Sequence, residues 1–194
     1  LFKRLNWGQF IREDGPQSHK LKHGTPTMGG VVIILATLTG YFVGKLANFE
    51  TPTPSALLVL LMLVGLGLVG FIDDFLKVHR KQNLGISGWQ KIFGQVLVTG
   101  LFIWLALTVT DSTGQHPMST KLSIFRDTEF DFLALGSVIG LVLLALWISL
   151  LVVSTSNGVN VADGLDGLAT GASIMSIGAF AVIGFWKFNQ ACGT

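Results

Sequence analysis

Residues 52–72 read PTPSALLVLLMLVGLGLVGFI, and the next six are DDFLKV. The first stretch carries no charge over its whole length. A helix needs about 20 mostly apolar residues to cross roughly 30 Å of hydrocarbon. Backbone polar groups in lipid must be bonded within their own segment, so a lone stretch of this kind is a helix. The change from unbroken apolar sequence to Asp73-Asp74 then marks the place where that helix reaches a polar boundary.

The same pattern recurs on both sides. Spans are expected at about 24–44, 53–72, 92–110, 132–153 and 167–186. The charge-free stretch 132–162 is too long to be all span, so its helix is expected to end near Val153 and a loop to begin at Ser154. Composition agrees. Half of the 194 residues are apolar and 12% are charged, against about 25% charged in soluble domains; mean hydropathy is +0.63. Glycine, at 24 residues, is also more frequent in membrane helices than in soluble ones. The fold class expected is all-α, a polytopic membrane protein with five spans.

Several function classes drop out. A formal net charge of +2 with no long basic run gives nucleic acid no footprint. One cysteine, Cys192, allows neither an internal disulfide nor a cysteine-based metal site. The polar opening LFKRLNWGQFIREDG is not a signal peptide. The missing initial Met and the abrupt last residues make the chain read as a piece cut at both ends. No internal or inverted repeat of the transporter kind is visible.

Lys and Arg set the orientation. Lys3, Arg4, Arg12, Lys20, Lys22, Lys77, Arg80, Lys81 and Lys91 make nine of the thirteen basic residues, and all fall before the first span or between the second and third. By the positive-inside rule, the loops 1–23, 73–91 and 154–166 face the cytoplasm. Residues 45–54 and 111–131 then face outward.

Three polar motifs lie on that cytoplasmic side. The first, DGPQSHKLKHGTPTMGG (14–30), joins turn signals and basic side chains to a helix start. Hydroxyls, backbone amides and lysine at a helix N-terminus can hold phosphate; a solvated flank followed by a helix cap explains the same residues. The second is Asp73-Asp74 with Lys77. Adjacent carboxylates repel, and a divalent cation relieves that repulsion. Lys77 lies i+4 and i+3 from the two acids and shares their face; an interfacial Asp–Lys pair ending a helix is the plainer account. The third, STSNGVNVADGLDGLAT (154–170), sets Asn157, Asn160, Asp163 and Asp166 three residues apart. On a helix, i+3 neighbours share a face, and glycines between them allow close approach. Asn donates and accepts while Asp only accepts, so this surface could read a nucleobase edge and ribose hydroxyls. A capped, glycine-rich loop is the alternative.

Together these motifs resemble the polyprenyl-phosphate phospho-sugar transferases. The carrying residues are DGPQSHKLKHGTPTMGG, FIDDFLKV with GISGWQKIFGQ, and NGVNVADGLDGLATG. The resemblance covers essentially the whole chain and points to the branch that uses UDP-MurNAc-pentapeptide. It implies transfer of phospho-MurNAc-pentapeptide to undecaprenyl phosphate, giving lipid I and UMP in peptidoglycan synthesis. It also implies Mg²⁺ dependence, a bacterial inner-membrane location with a cytoplasmic active site, and a ten-span bundle of which this chain holds about the second through sixth. A homodimer is implied by the resemblance alone.

The resemblance assigns roles residue by residue. Asp73 and Asp74 match the catalytic acid pair and candidate metal ligands. Lys77 and Lys91 match lysines near the phosphates. Lys22 and Thr27 match the first cytoplasmic motif, with His19 beside the substrate. Asn157, Asn160, Asp163, Gly164, Leu165 and Asp166 match the nucleotide side. The principal Mg²⁺ ligand is expected beyond residue 194, so the 194-residue chain alone is expected to be inactive. Direct attack by the lipid phosphate is preferred over a phospho-sugar intermediate on an aspartate. The other readings are a transferase for UDP-N-acetylglucosamine, a membrane transporter and a non-enzymatic membrane scaffold.

Overall fold

The structure is a computed structural model that describes residues 29–80, 85–111, 114–123, 127–163 and 167–191. Its long helices are α1 (Gly29–Ala47), α2 (Pro54–Arg80), α3 (Gly88–Thr108), α4 (Ser137–Ala162) and α5 (Leu168–Ala191). All five are long and apolar enough to cross a membrane. A short hairpin, β1 (Lys121–Ser123) with β2 (Asp127–Asp131), and a 3₁₀ turn, Phe132–Leu135, precede α4. The expectation of an all-α polytopic chain is met, with this small hairpin as an addition. Two compact units divide the chain, residues 1–149 and 150–194.

Helix boundaries depart from expectation at two places. The second span does not stop at Ile72, because α2 continues to Arg80. The polar residues 154–162 do not form a loop either, because α4 continues to Ala162. Hydropathy marks where lipid ends, whereas helix bonding continues until a breaker intervenes. Gly85 follows α2, and Gly167 stands at φ +82°, a left-handed conformation that glycine adopts without strain.

In the first unit, α1 and α2 are joined by only six residues. Asn48 Nδ2 donates to the Gly44 carbonyl at 2.8 Å, and Lys45 Nζ donates to Glu50 at 2.7 Å. That hydrogen bond holds the Glu50 carboxyl below its ordinary pKa. A connection this short makes α1 and α2 antiparallel neighbours.

The tightest packing is between α2 and α3. A Cβ on Gly65 would lie 2.5 Å from Val98, and one on Gly94 would lie 3.0 Å from Val69. Each glycine therefore receives a valine from the other helix, in antiparallel register. The buried stripe on α3 is Gln95, Thr99, Ile103 and Ala106, spaced as one helix face. Thr99 turns its hydroxyl back to the Gln95 carbonyl at 2.8 Å, so its polar atom is satisfied within the helix. Lipid supplies no hydrophobic drive between helices, and small residues that admit close packing hold such contacts. The outward faces stay apolar, with Val59, Leu68, Phe93 and Trp104 each more than half exposed.

In β1–β2, Lys121 pairs with Asp131 and Ser123 with Asp127. Asp131 then caps the 3₁₀ turn, accepting from the Leu133 amide at 2.9 Å. Gly136, at φ +102°, ends it.

Candidate active site at the α2–α3 junction

The cluster begins with the start of α3. Ser87-Gly88-Trp89-Gln90 forms a capping box: the Ser87 hydroxyl accepts from the Gln90 amide at 3.3 Å, and the Gln90 side chain accepts from the Ser87 amide at 2.9 Å. This reciprocal pair sets where α3 begins and so places Lys91 on its first turn. About one turn beyond the Val69–Gly94 contact, the antiparallel register brings Lys91 to Asp73.

Asp73 is 4% exposed. Its Oδ2 lies 2.6 Å from Lys77 Nζ and 2.8 Å from Lys91 Nζ. Its Oδ1 accepts from the Ile86 amide at 3.0 Å. A buried carboxylate is tolerated only when paired and hydrogen-bonded, and here both oxygens are engaged. Gly85 completes the enclosure. A Cβ there would overlap Asp73 Oδ1 and stand 2.7 Å from the Asp73 carbonyl oxygen.

Asp74 is placed differently. Consecutive residues on a helix point about 100° apart, so when Asp73 faces α3, Asp74 turns away from it. The Asp74 side chain is 43% exposed, and its Oδ1 lies 3.0 Å from Lys77 Nζ. It lines a cleft between α1 and α2 with Gly30, Ile34 and Phe71. Lys77 thus bridges a closed acid and an open one. Two acids and two lysines leave the cluster formally neutral.

A lysine ammonium has three donors. Lys77 spends two on the acids and Lys91 one, so both retain N–H groups for an anionic ligand. Their side chains are 34% and 23% exposed. Among the described residues, no three His, Cys, Asp or Glu side chains gather as a metal site. The donor set for a cation there is the open carboxylate of Asp74.

The third motif belongs to the second unit. Asn157 and Asn160 lie on α4, and Asp163 follows its last turn. Asn157 donates to the Val153 carbonyl at 2.8 Å. Asn160 and Asp163 are exposed, on neighbouring positions of one face. Gly158 lies on a different face of α4, and a Cβ there would meet nothing within 4 Å. His19, Lys22, Thr27, Gly164, Leu165 and Asp166 lie outside the described residues.

Helix spacing grouped Asp73, Asp74 and Lys77, and the family resemblance added Lys91; the structure has all four in one cluster. Sequence reasoning missed Gly85, the Ile86 amide and the Ser87–Gln90 box. The S-x-x-Q spacing before an apolar run was the available signal for the box.

Comparison with known proteins follows the same residues. The profile of glycosyl transferase family 4 matches residues 56–193. Signature 1 of phospho-N-acetylmuramoyl-pentapeptide-transferase matches residues 22–34. Proteins named phospho-N-acetylmuramoyl-pentapeptide-transferase align with nearly the whole chain. The one from Clavibacter michiganensis subsp. michiganensis is 61% identical over 99% of this chain and 54% of its own length. That from Nocardioides sp. is 51% identical over 99% and 52%. The Streptomyces avermitilis protein is 46% identical over 99% and 52%. The chain therefore spans about half the length of these curated relatives. No solved structure matches it. The family profile covers α2 through α5, including the paired acids, both lysines and the α4 asparagines, and on that ground the chain belongs to glycosyl transferase family 4.

Proposed function

We propose that the full-length protein transfers phospho-MurNAc-pentapeptide from UDP-MurNAc-pentapeptide to undecaprenyl phosphate, at the cytoplasmic face of a bacterial inner membrane. The observation that carries this reading is the Asp73–Lys77–Asp74–Lys91 cluster at the end of a membrane helix. It is a polar, charge-compensated site at the level where a lipid phosphate would meet a water-soluble nucleotide. The names of the relatives support the transferred group, phospho-N-acetylmuramoyl-pentapeptide.

In this reaction an oxygen of the lipid phosphate attacks the β-phosphorus of the UDP-sugar. A new P–O bond forms, the bond to the bridging oxygen breaks, and UMP leaves with that electron pair. One pyrophosphate is exchanged for another, so catalysis rests on positioning and charge compensation. Asp73 holds Lys77 and Lys91 in place. The remaining N–H groups of those lysines bind the phosphates. Asp73 is a poor nucleophile, because both its oxygens are hydrogen-bonded within the protein, and direct attack by the lipid phosphate is the favoured route.

Mg²⁺ commonly takes one or two carboxylates and completes its shell with water and substrate phosphates. Asp74 fits that pattern as one ligand. When bound, the ion would neutralise phosphate charge. Further ligands are expected beyond residue 194, and the 194-residue chain alone is expected to give no turnover. Asn160 and Asp163 are the described residues offered to the uridine.

The test is UMP release by the full-length protein in nanodiscs with undecaprenyl phosphate and Mg²⁺. UDP-MurNAc-pentapeptide and UDP-N-acetylglucosamine are supplied separately, beside the Asp74→Asn variant. Release with the pentapeptide donor alone, lost in the variant, is expected. Release with the acetylglucosamine donor alone would move the protein to the sister branch of the family. No release with either donor would overturn the reading.

A further inference from the structure

Among the described residues, Phe49 is the one non-glycine residue with a left-handed backbone, at φ +52°. It lies in the short connection from α1 to α2 and is 95% exposed. Both features are unfavourable by themselves. A bulky residue in that conformation is strained, and an aromatic ring gains by leaving water. We propose that Phe49 is a membrane anchor, its ring held at the boundary of acyl chains and headgroups on the side of the bilayer opposite the Asp73 cluster. This assignment does not depend on the proposed reaction. The length of α2 gives the level of the turn. Pro54 and Asp73 are about 28 Å apart along α2 at 1.5 Å per residue, close to the roughly 30 Å of a hydrocarbon core. With Asp73 near one boundary, the α1–α2 connection lies at the other.

Three features select lipid as the partner. The first is the cap itself. The Phe49 amide donates to the Leu46 carbonyl at 3.2 Å, and the Glu50 amide to the Lys45 carbonyl at 2.9 Å. This is the Schellman arrangement, in which glycine usually takes the left-handed place. The Gly44 carbonyl accepts from the Asn48 amide at 3.2 Å and from Asn48 Nδ2 at 2.8 Å. The carbonyls of Gly44, Lys45 and Leu46 thus all have donors inside the chain. Water would satisfy them without a cap, whereas the edge of a lipid layer would not. The second feature is charge. Lys45 and Glu50 pair at 2.7 Å, so the two charges beside Phe49 cancel. The third is continuity. Phe42 and Leu46 share a face of α1 and are both exposed, so the apolar surface of the span runs up to the turn. An exposed ring between an apolar span and a neutral polar rim is the make-up of an interfacial anchor.

The first test places para-fluorophenylalanine at position 49 of the full-length protein in nanodiscs and reads its fluorine NMR signal. Dioxygen concentrates in lipid, and a gadolinium chelate stays in water. Strong relaxation by dioxygen with little broadening by gadolinium is expected, as for the same label at Phe42 on the span. Strong broadening by gadolinium would put the ring in water and overturn the assignment. Protection from both would put it beneath protein and overturn it too. The label is nearly isosteric with phenylalanine, so the fold is kept, and no turnover is needed.

The second test separates the ring from the backbone. Phe49→Ala removes the ring and keeps the strain, whereas Phe49→Gly removes both. Phe49→Gly is therefore expected to melt at a higher temperature than Phe49→Ala in detergent. Equal melting temperatures would show that the turn bears no strain and would overturn the inference drawn from it.

Discussion

Lys91, on the first turn of α3, places its ammonium 2.8 Å from the Oδ2 of Asp73 on α2. The contact joins two membrane helices through a carboxylate that is 4% exposed. Lys77 reaches the same oxygen from within α2, at 2.6 Å. A buried acid held from two helices is both a structural tie and the anchor of the candidate site.

Asp73→Asn and Asp74→Asn are therefore expected to differ in stability while both lose transfer. Removing the Asp73 charge takes the carboxylate from Lys91 and leaves Lys77 with Asp74 alone, and breaking a buried pair in this way typically costs about 3–5 kcal/mol. Asp74 is open to solvent, so its replacement should cost less than about 1 kcal/mol. Thermal unfolding in detergent checks this. Equal melting temperatures for the two variants would contradict the burial difference.

Gly85→Ala should disturb the same carboxylate without replacing any charged residue. Its methyl overlaps the Asp73 carboxylate and the adjacent carbonyl oxygen, and overpacking of this kind costs about 1–3 kcal/mol. Transfer activity and melting temperature should fall together. A variant with wild-type values of both would show that the turn after α2 can yield.

Ser87→Ala removes one half of the capping box and should cost about 1 kcal/mol. Gln90→Ala should have a similar effect, and the double variant should cost less than the sum because the two bonds act as one unit. Chemical denaturation of the set measures the coupling. Strict additivity would argue against the reciprocal pair.

Asn160→Ala is expected to raise the KM for the UDP-sugar about tenfold, the equivalent of one lost hydrogen bond to ligand. The KM for the lipid acceptor should not move. A change confined to the acceptor would place the α4 asparagines on the wrong substrate.

Orientation is open to a direct check in a Cys192→Ser background. Trp89, 81% exposed, lies at the start of α3, and Gln115 is exposed in the segment after α3. A membrane-impermeant maleimide added to intact cells should label Gln115→Cys and spare Trp89→Cys. The reverse pattern would invert the assigned topology.

The sequence by itself determined that five helices cross a membrane, because an uninterrupted apolar stretch has no other stable form in lipid. It also placed the polar chemistry at the helix ends, where charged side chains cost least. Hydropathy could not locate the true ends of α2 and α4, since a helix keeps its hydrogen bonds after it leaves the apolar layer. Composition could not separate Asp73 from Asp74 either. Two adjacent, identical side chains became a closed carboxylate and an open one only when α3 packed against one face of α2 and α1 against another. The physical reason is the 100° step of the helix, which turns neighbouring residues toward different partners. Local sequence sets that step, but which partner lies in each direction is decided by packing between distant segments.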